Sequence, residues 1–184
     1  VTARHGPYTV LFVCTANICR SAYAEAAARA SATEEIAFMS AGTHALVGEG
    51  MDPPMAAELR GIGDAAAHRA QQLALPLAQE ADLILTMGAQ HRRYILDEWP
   101  ALAHKTFVIG HAARVLAELP PEVSLEGVAD HLWRNRTVQK GDEVADPYRR
   151  GPEAASVAAR QIDANLAVIV EALSRLSLAS RHRP

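Results

Sequence analysis

Cysteine is almost missing from this chain of 184 residues, which has only Cys14 and Cys19. Two cysteines cannot make a disulfide scaffold, so an apolar core must hold the fold. No apolar run approaches the ~20 residues of a membrane-spanning helix, so no membrane partner is expected. Neither sign of charge is in excess. The 18 Lys and Arg against 21 Asp and Glu leave a formal net charge of −3, which offers nucleic acid no electrostatic footprint. The first residues show no charged segment leading into a signal-type apolar stretch, and free thiols suit a reducing compartment, so we expect a cytoplasmic location. None of the eight histidines falls in a metal-ligand spacing such as H-E-x-x-H. We therefore expect no metal and no cofactor, and solvated or capping roles for most of them. Gly48-Glu49-Gly50 and Gly61-Ile62-Gly63 are too short to be nucleotide fingerprints. No internal repeat, linker or low-complexity boundary divides the chain.

Hydrophobic residues at 49% and charged residues at 21% read as one ordinary globular domain, long enough to bury a real core. β-type runs alternate with helical ones. Strands are expected at Thr9–Val13, Ile36–Ala41, Leu83–Met87 and Thr106–Ile109. Helices are expected over Ser21–Ala32, over Pro53–Arg60 closed by Gly61, and from the third strand to Glu98 before Pro100. In the last helix Ile162, Leu166, Ile169, Leu173 and Leu176 recur every three or four residues, making one apolar stripe. This alternation predicts an α/β fold: a doubly wound, flavodoxin-like parallel sheet of about four strands with helices on both faces. Ligands of such sheets sit at the carboxyl ends of the strands.

Cys14-Thr15-Ala16-Asn17-Ile18-Cys19-Arg20-Ser21 falls at that place after the first strand. A helix starting near Arg20 directs its free first-turn N–H groups, with those of the loop, at a point that attracts a phosphate dianion. The Arg20 guanidinium can grip two phosphate oxygens side by side. The same positive field favours a thiolate at Cys14, placed for in-line attack on phosphorus. Asn17 belongs to the few non-glycine types that tolerate positive φ, as a loop wrapped round phosphate requires. Ser21 can donate to the Cys14 sulfur, or serve at the start of the helix. Cys19 in the same loop could close a protective disulfide with Cys14 under peroxide.

These residues resemble the low-molecular-weight protein tyrosine phosphatase family, whose signature is C-x-G-N-x-C-R-S; Ala16 replaces its glycine. The resemblance continues in Ser40-Ala41-Gly42-Thr43, in His68-Arg69-Ala70-Gln71-Gln72-Leu73, in Asp82-Leu83-Ile84-Leu85-Thr86-Met87 and in Asp146-Pro147-Tyr148. It implies a phosphomonoester hydrolase, of protein-tyrosine-phosphatase type, acting on a phosphorylated protein or small phosphoester through a phosphocysteine on Cys14. Arg20 and the backbone from Thr15 to Ser21 would bind phosphate. Asp146 would be general acid and then base, with Ser40 and His68 bracing the loop.

The chain also departs from the family's pattern. Where an aromatic residue usually forms one wall of the substrate slot stand Ala45 and Leu46, opposite Tyr148, and Arg149-Arg150 follow that tyrosine. One aromatic wall with two cations suits an acidic peptide, another phosphoester or a nucleotide. The stretch around 111–144 reads as a surface insertion with helical segments about Pro120-Pro121, with covering the site or carrying an interface as the alternatives. Other functions share the loop. Arsenate reductases of the thioredoxin-coupled kind need cysteines beyond Cys14 and Cys19. A protein-arginine phosphatase typically has threonine where Ile18 stands. A non-catalytic phosphate-binding module has little use for both Cys14 and Asp146.

Overall fold

The structure, a computed structural model, describes residues 6–31, 33–137 and 139–181. Ala32, the expected end of the first helix, and Val138, within the 111–144 stretch, lie outside the described residues. In chain order the elements are β1 (Tyr8–Cys14), α1 (Arg20–Ser31), β2 (Ile36–Gly42), α2 (Pro53–Glu58), α3 (Leu75–Glu80), β3 (Leu83–Thr86), α4 (Ala89–Glu98), β4 (Thr106–Val108), α5 (Ile109–Leu116), α6 (Val128–Arg134) and α7 (Gly151–Arg181). Single 3-10 turns occupy Ala65–Ala67 and Pro100–Lys105. Among the described residues, no helix is long and apolar enough to cross a membrane.

The four strands pair in parallel in the order β2-β1-β3-β4, the flavodoxin-like arrangement expected from the sequence. Parallel strands need crossovers, and these cover both faces of the sheet, so β1 reads as an apolar run and not as an alternation. Every residue of β1 is buried. Val10, Phe12 and Cys14 belong to one apolar cluster with α1, α2, α5 and α7; Leu11 and Val13 belong to a second with Ala78 of α3 and Ile95 of α4. The stripe Ile162, Leu166, Ile169, Leu173 and Leu176 is buried throughout. The Tyr23 hydroxyl donates to Asp163 Oδ1 at 3.0 Å and ties α1 to α7.

Some boundaries differ from expectation. β4 stops at Val108, because its ladder on β3 ends with the pair Thr86↔Val108, and Ile109 opens α5 directly. α2 ends at Glu58; Arg60 and Gly61 take positive φ (48° and 83°) and turn the chain away. α3 was not foreseen, since six residues are too few to show a period. The 111–144 stretch is no surface appendage. Leu116, Leu119, Leu125, Val128, Leu132 and Val144 are buried in the same cluster as β1 and α7.

Candidate active site

Register places the ends of three neighbouring segments together: Cys14 lies opposite Gly42 of β2, and Val13 opposite Thr86 of β3. From Cys14 the chain turns through 15–19 into α1. Every carbonyl along that turn is held from outside. Cys14 O, Thr15 O and Ala16 O accept the N–H groups of Thr43, His44 and Leu46, and Ile18 O and Cys19 O accept those of Asp52 and Tyr23. Asn17 O accepts from His68 Nε2 at 2.7 Å. A trans peptide points its N–H opposite to its C=O, and no cis bond occurs among the described residues. The N–H groups of Thr15 to Arg20 therefore turn inward, and none donates to an acceptor among the described residues. The turn is a nest of donors at the start of a helix, an arrangement suited to an anion.

Asn17 makes this shape possible. Its φ is 56°, as the sequence suggested, and its buried amide reaches three ways. Nδ2 donates to Ser21 Oγ (2.9 Å) and Ser40 Oγ (2.8 Å), while Oδ1 accepts from Gln71 N (2.8 Å). Ser40 Oγ in turn donates to Glu25 Oε2, whose other oxygen pairs with Arg29 at 2.7 Å. Ser40 and His68 both bond to Asn17 of the loop, and Glu25 and Gln71, which were not singled out, join them. Gly42 lets the strand approach the loop, for a Cβ there would sit 2.4 Å from Thr15 O.

Cys14 is 2% exposed, with Sγ 2.9 Å from Ser21 Oγ. A thiolate can only accept, so the Ser21 hydroxyl donates to it once it forms. Cys19 is also buried, and both thiols are free. Burial, with Asp52 next, pushes the Cys19 thiol far above the usual range. Arg20 is buried at the first helical position. Its Nη1 donates to Val144 O at 3.2 Å, Nη2 pairs with Asp146 Oδ2 at 3.2 Å, and the buried Nε–H has no acceptor among the described residues. Asp146 is half exposed, and its Oδ1 accepts from Tyr148 N at 3.2 Å.

The two carboxylates just upstream of Asp146 are occupied elsewhere. Glu143 Oε1 accepts from Ala89 N at the start of α4, and Asp142 Oδ2 takes both Arg114 Nη2 (3.1 Å) and Gln139 N (3.0 Å). Leu46 is 43% exposed on the rim, and Tyr148 is half-buried with Arg149 over its ring at 5.0 Å. Among the described residues no three His, Cys, Asp or Glu side chains converge as metal ligands would.

The expected solvated role fails for His91 and His111, which are 2% and 6% exposed. His91 lies in the first turn of α4 with Nε2 3.0 Å from Thr15 Oγ1. Its buried Nδ1 has no partner among the described residues. A bare lone pair is the less costly state there, which makes Nε2–H the donor to Thr15. Burial, reinforced by Arg20, lowers its pKa from 6.5 to about 4. The signal available in the sequence was position: His91 follows the end of a strand that neighbours the Cys14 strand.

Residues 9–119 match the family model described as low molecular weight phosphotyrosine protein phosphatase. The chain is 41% identical over 143 residues to a probable low molecular weight protein-tyrosine-phosphatase, EpsP, of Ralstonia solanacearum, covering 77% of this chain and 96% of that one. Among solved structures, the tyrosine phosphatase AmsI of Erwinia amylovora superposes with a TM-score of 0.72 at 27% identity, over 92% of this chain and 95% of that chain. The YwlE arginine phosphatase of Geobacillus stearothermophilus superposes with a TM-score of 0.76 at 25% identity, over 97% and 100%.

Proposed function

The chain belongs to the low molecular weight phosphotyrosine protein phosphatase family, cysteine-dependent phosphatases, and on that premise we propose a two-step hydrolysis with named groups in each role. The observation that carries the proposal is the ring of outward-held carbonyls around Cys14, which leaves six consecutive N–H groups and Arg20 Nε for phosphate oxygens. The Cys14 thiolate attacks phosphorus, the phosphorus–oxygen bond to the leaving group breaks, and that oxygen takes the proton of Asp146. Asp146, now a carboxylate, removes a proton from water. The oxygen attacks phosphorus, and Cys14 leaves as a thiolate eased by the Ser21 hydroxyl. The donors of the loop stabilise the equatorial oxygens in both transition states. Asp146 reaches this position because it is joined through Val144 to Arg20, so acid and phosphate grip share one support.

Phosphotyrosine or a similar aryl phosphate, on a protein or a small molecule, is the substrate we propose, with Tyr148 and Leu46 flanking the ring. The setting is cytoplasmic, as a thiol-dependent reaction requires. A second reading, phosphoarginine, is favoured by the full-length likeness to an arginine phosphatase, and opposed by apolar Ile18 in the loop. Turnover of phosphotyrosine, phosphoserine, phosphoarginine and nucleotide monophosphates should be measured side by side, with Cys14→Ser as the companion variant. We expect phosphotyrosine to be preferred, and Cys14→Ser to bind vanadate without turnover. Wild-type-like turnover in that variant would end the covalent mechanism.

A further inference from the structure

A cavity of about 670 Å³ opens between the outer face of α4, the end of β4 and the segment that leads to Val144. None of its lining residues belongs to the phosphate loop. Its floor is apolar, made by Phe107, Val108 and Leu96. Its polar groups are unbalanced. Asp142 is engaged by Arg114, Glu143 by the start of α4, and Asp97 pairs with Arg93 at 3.6 Å. Arg92, Arg136 and Lys140 have no carboxylate within ion-pair distance among the described residues.

Two of these cations are aimed and not merely solvated. Arg92 is half-buried and uses Nε on Thr106 O at 2.9 Å, which fixes the guanidinium and leaves both Nη groups without an acceptor among the described residues. Arg136 lies over the Trp133 ring at 4.1 Å and donates from Nη1 to Trp133 O. Burial and the nearby Arg136 charge both lower the pKa of Arg92 from its ordinary value. Two like charges facing one partly desolvated space repel one another, and an anion between them turns that repulsion into attraction.

We propose that this cavity is a second anion site. Its ligand is a small organic molecule with a phosphate or carboxylate head held by Arg92 and Arg136 and an aromatic or branched apolar body resting on Phe107 and Leu96. Lys140 stands at the mouth. A mostly apolar cleft with a few convergent polar groups is the usual form of a small-molecule site. The proposal is independent of the chemistry assigned to Cys14.

The test uses isotope-labelled wild-type protein with vanadate occupying the phosphate loop, titrated with phenylphosphonate in one arm and phenylacetate in the other. Amide shifts at Ala89, Phe107 and Gly141 are expected in at least one arm, and the tighter probe identifies the head group. Arg136→Gln, an exposed change that spares the fold, should weaken that binding about tenfold or more, as loss of a charge-assisted pair does. Arg92→Lys should weaken it severalfold, since lysine cannot grip two oxygens. Turnover of a small aryl phosphate should be unchanged in Arg136→Gln. Absence of these amide shifts in both arms, or shifts with unaltered affinity in Arg136→Gln, would overturn the site.

Discussion

The carboxylate of Asp146 lies against the guanidinium of Arg20, Oδ2 to Nη2 at 3.2 Å, with Arg20 buried and Asp146 half exposed. Under the proposed roles, the group that would protonate the leaving oxygen touches the group that would hold the phosphate. A phosphate on Arg20 would then compete with Asp146 for the same N–H face and free the carboxyl for the departing oxygen.

Asp146→Asn should accordingly be read by leaving group. A phenol of high pKa needs a proton in the transition state, and loss of a positioned acid typically costs ~10²–10⁴-fold. The deficit is expected to be large on phenyl phosphate and small on a nitrophenyl ester. Inorganic phosphate should bind the variant more tightly, because a competitor for Arg20 has been neutralised. Steady-state kinetics across a leaving-group series checks the first point, and product inhibition the second. A uniform small loss would reduce Asp146 to a loop-shaping role.

Asn17 supports the loop through three buried hydrogen bonds and a positive φ, and the two contributions can be separated. Asn17→Ala loses both, leaves buried partners unpaired, and should cost about 3 kcal/mol in urea denaturation. Asn17→Gly loses the bonds but accepts the backbone, and should be less damaged by about 1 kcal/mol. Equal losses would mean that the backbone conformation contributes nothing.

His91 makes stability depend on pH in a stated direction. Its folded pKa of about 4 lies below the ordinary 6.5, so between these values the unfolded chain binds the proton and the folded one does not. Stability attributable to His91 is complete above pH 6.5 and is lost as pH falls toward 4, by about 3 kcal/mol in all. His91→Gln should flatten this acid limb in denaturation series from pH 7 to pH 4. Some slope should remain, because burial lowers the pKa of His111 as well. An unchanged limb would show that His91 does not carry it.

Peroxide should separate the two cysteines. Disulfide closure after oxidation of Cys14 runs through the Cys19 thiolate, which burial makes scarce. Dithiol reductant is therefore expected to rescue more activity in wild type than in Cys19→Ser, and the gap should widen as the pH of the peroxide treatment rises. Equal recovery in both proteins at every pH would remove Cys19 from this role.

What the sequence disclosed and what it hid follow from range. The loop from Cys14 to Ser21 was legible because its chemistry lies within eight consecutive residues, and the fold because β1 is an unbroken apolar run and α7 carries a strong periodic stripe. His91 was hidden because its partner Thr15 is 76 positions away, and an isolated histidine on an exposed-looking helix gives no period to read. Glu25 of α1 was hidden for the same reason, since its partner Ser40 lies on β2, 15 positions away. The end of β4 depended on where β3 stops, which is a property of the pair and not of either segment.

The bonds that hold the loop from the segment just after β2 are given by the main chain at Thr43, His44 and Leu46, not by their side chains, whereas Ser40 within β2 holds it through its hydroxyl. Residues 44–46 can therefore be exchanged for any type but proline without releasing the loop. The same chain segment that holds the loop through its backbone offers a rim free to vary at residues 44–46, whereas Arg149 on the other side is tied to the left-handed region by a φ of 57°. Under the proposed roles, head-group recognition and substrate choice are then separable: a new clientele would need only rim mutations above an unaltered loop.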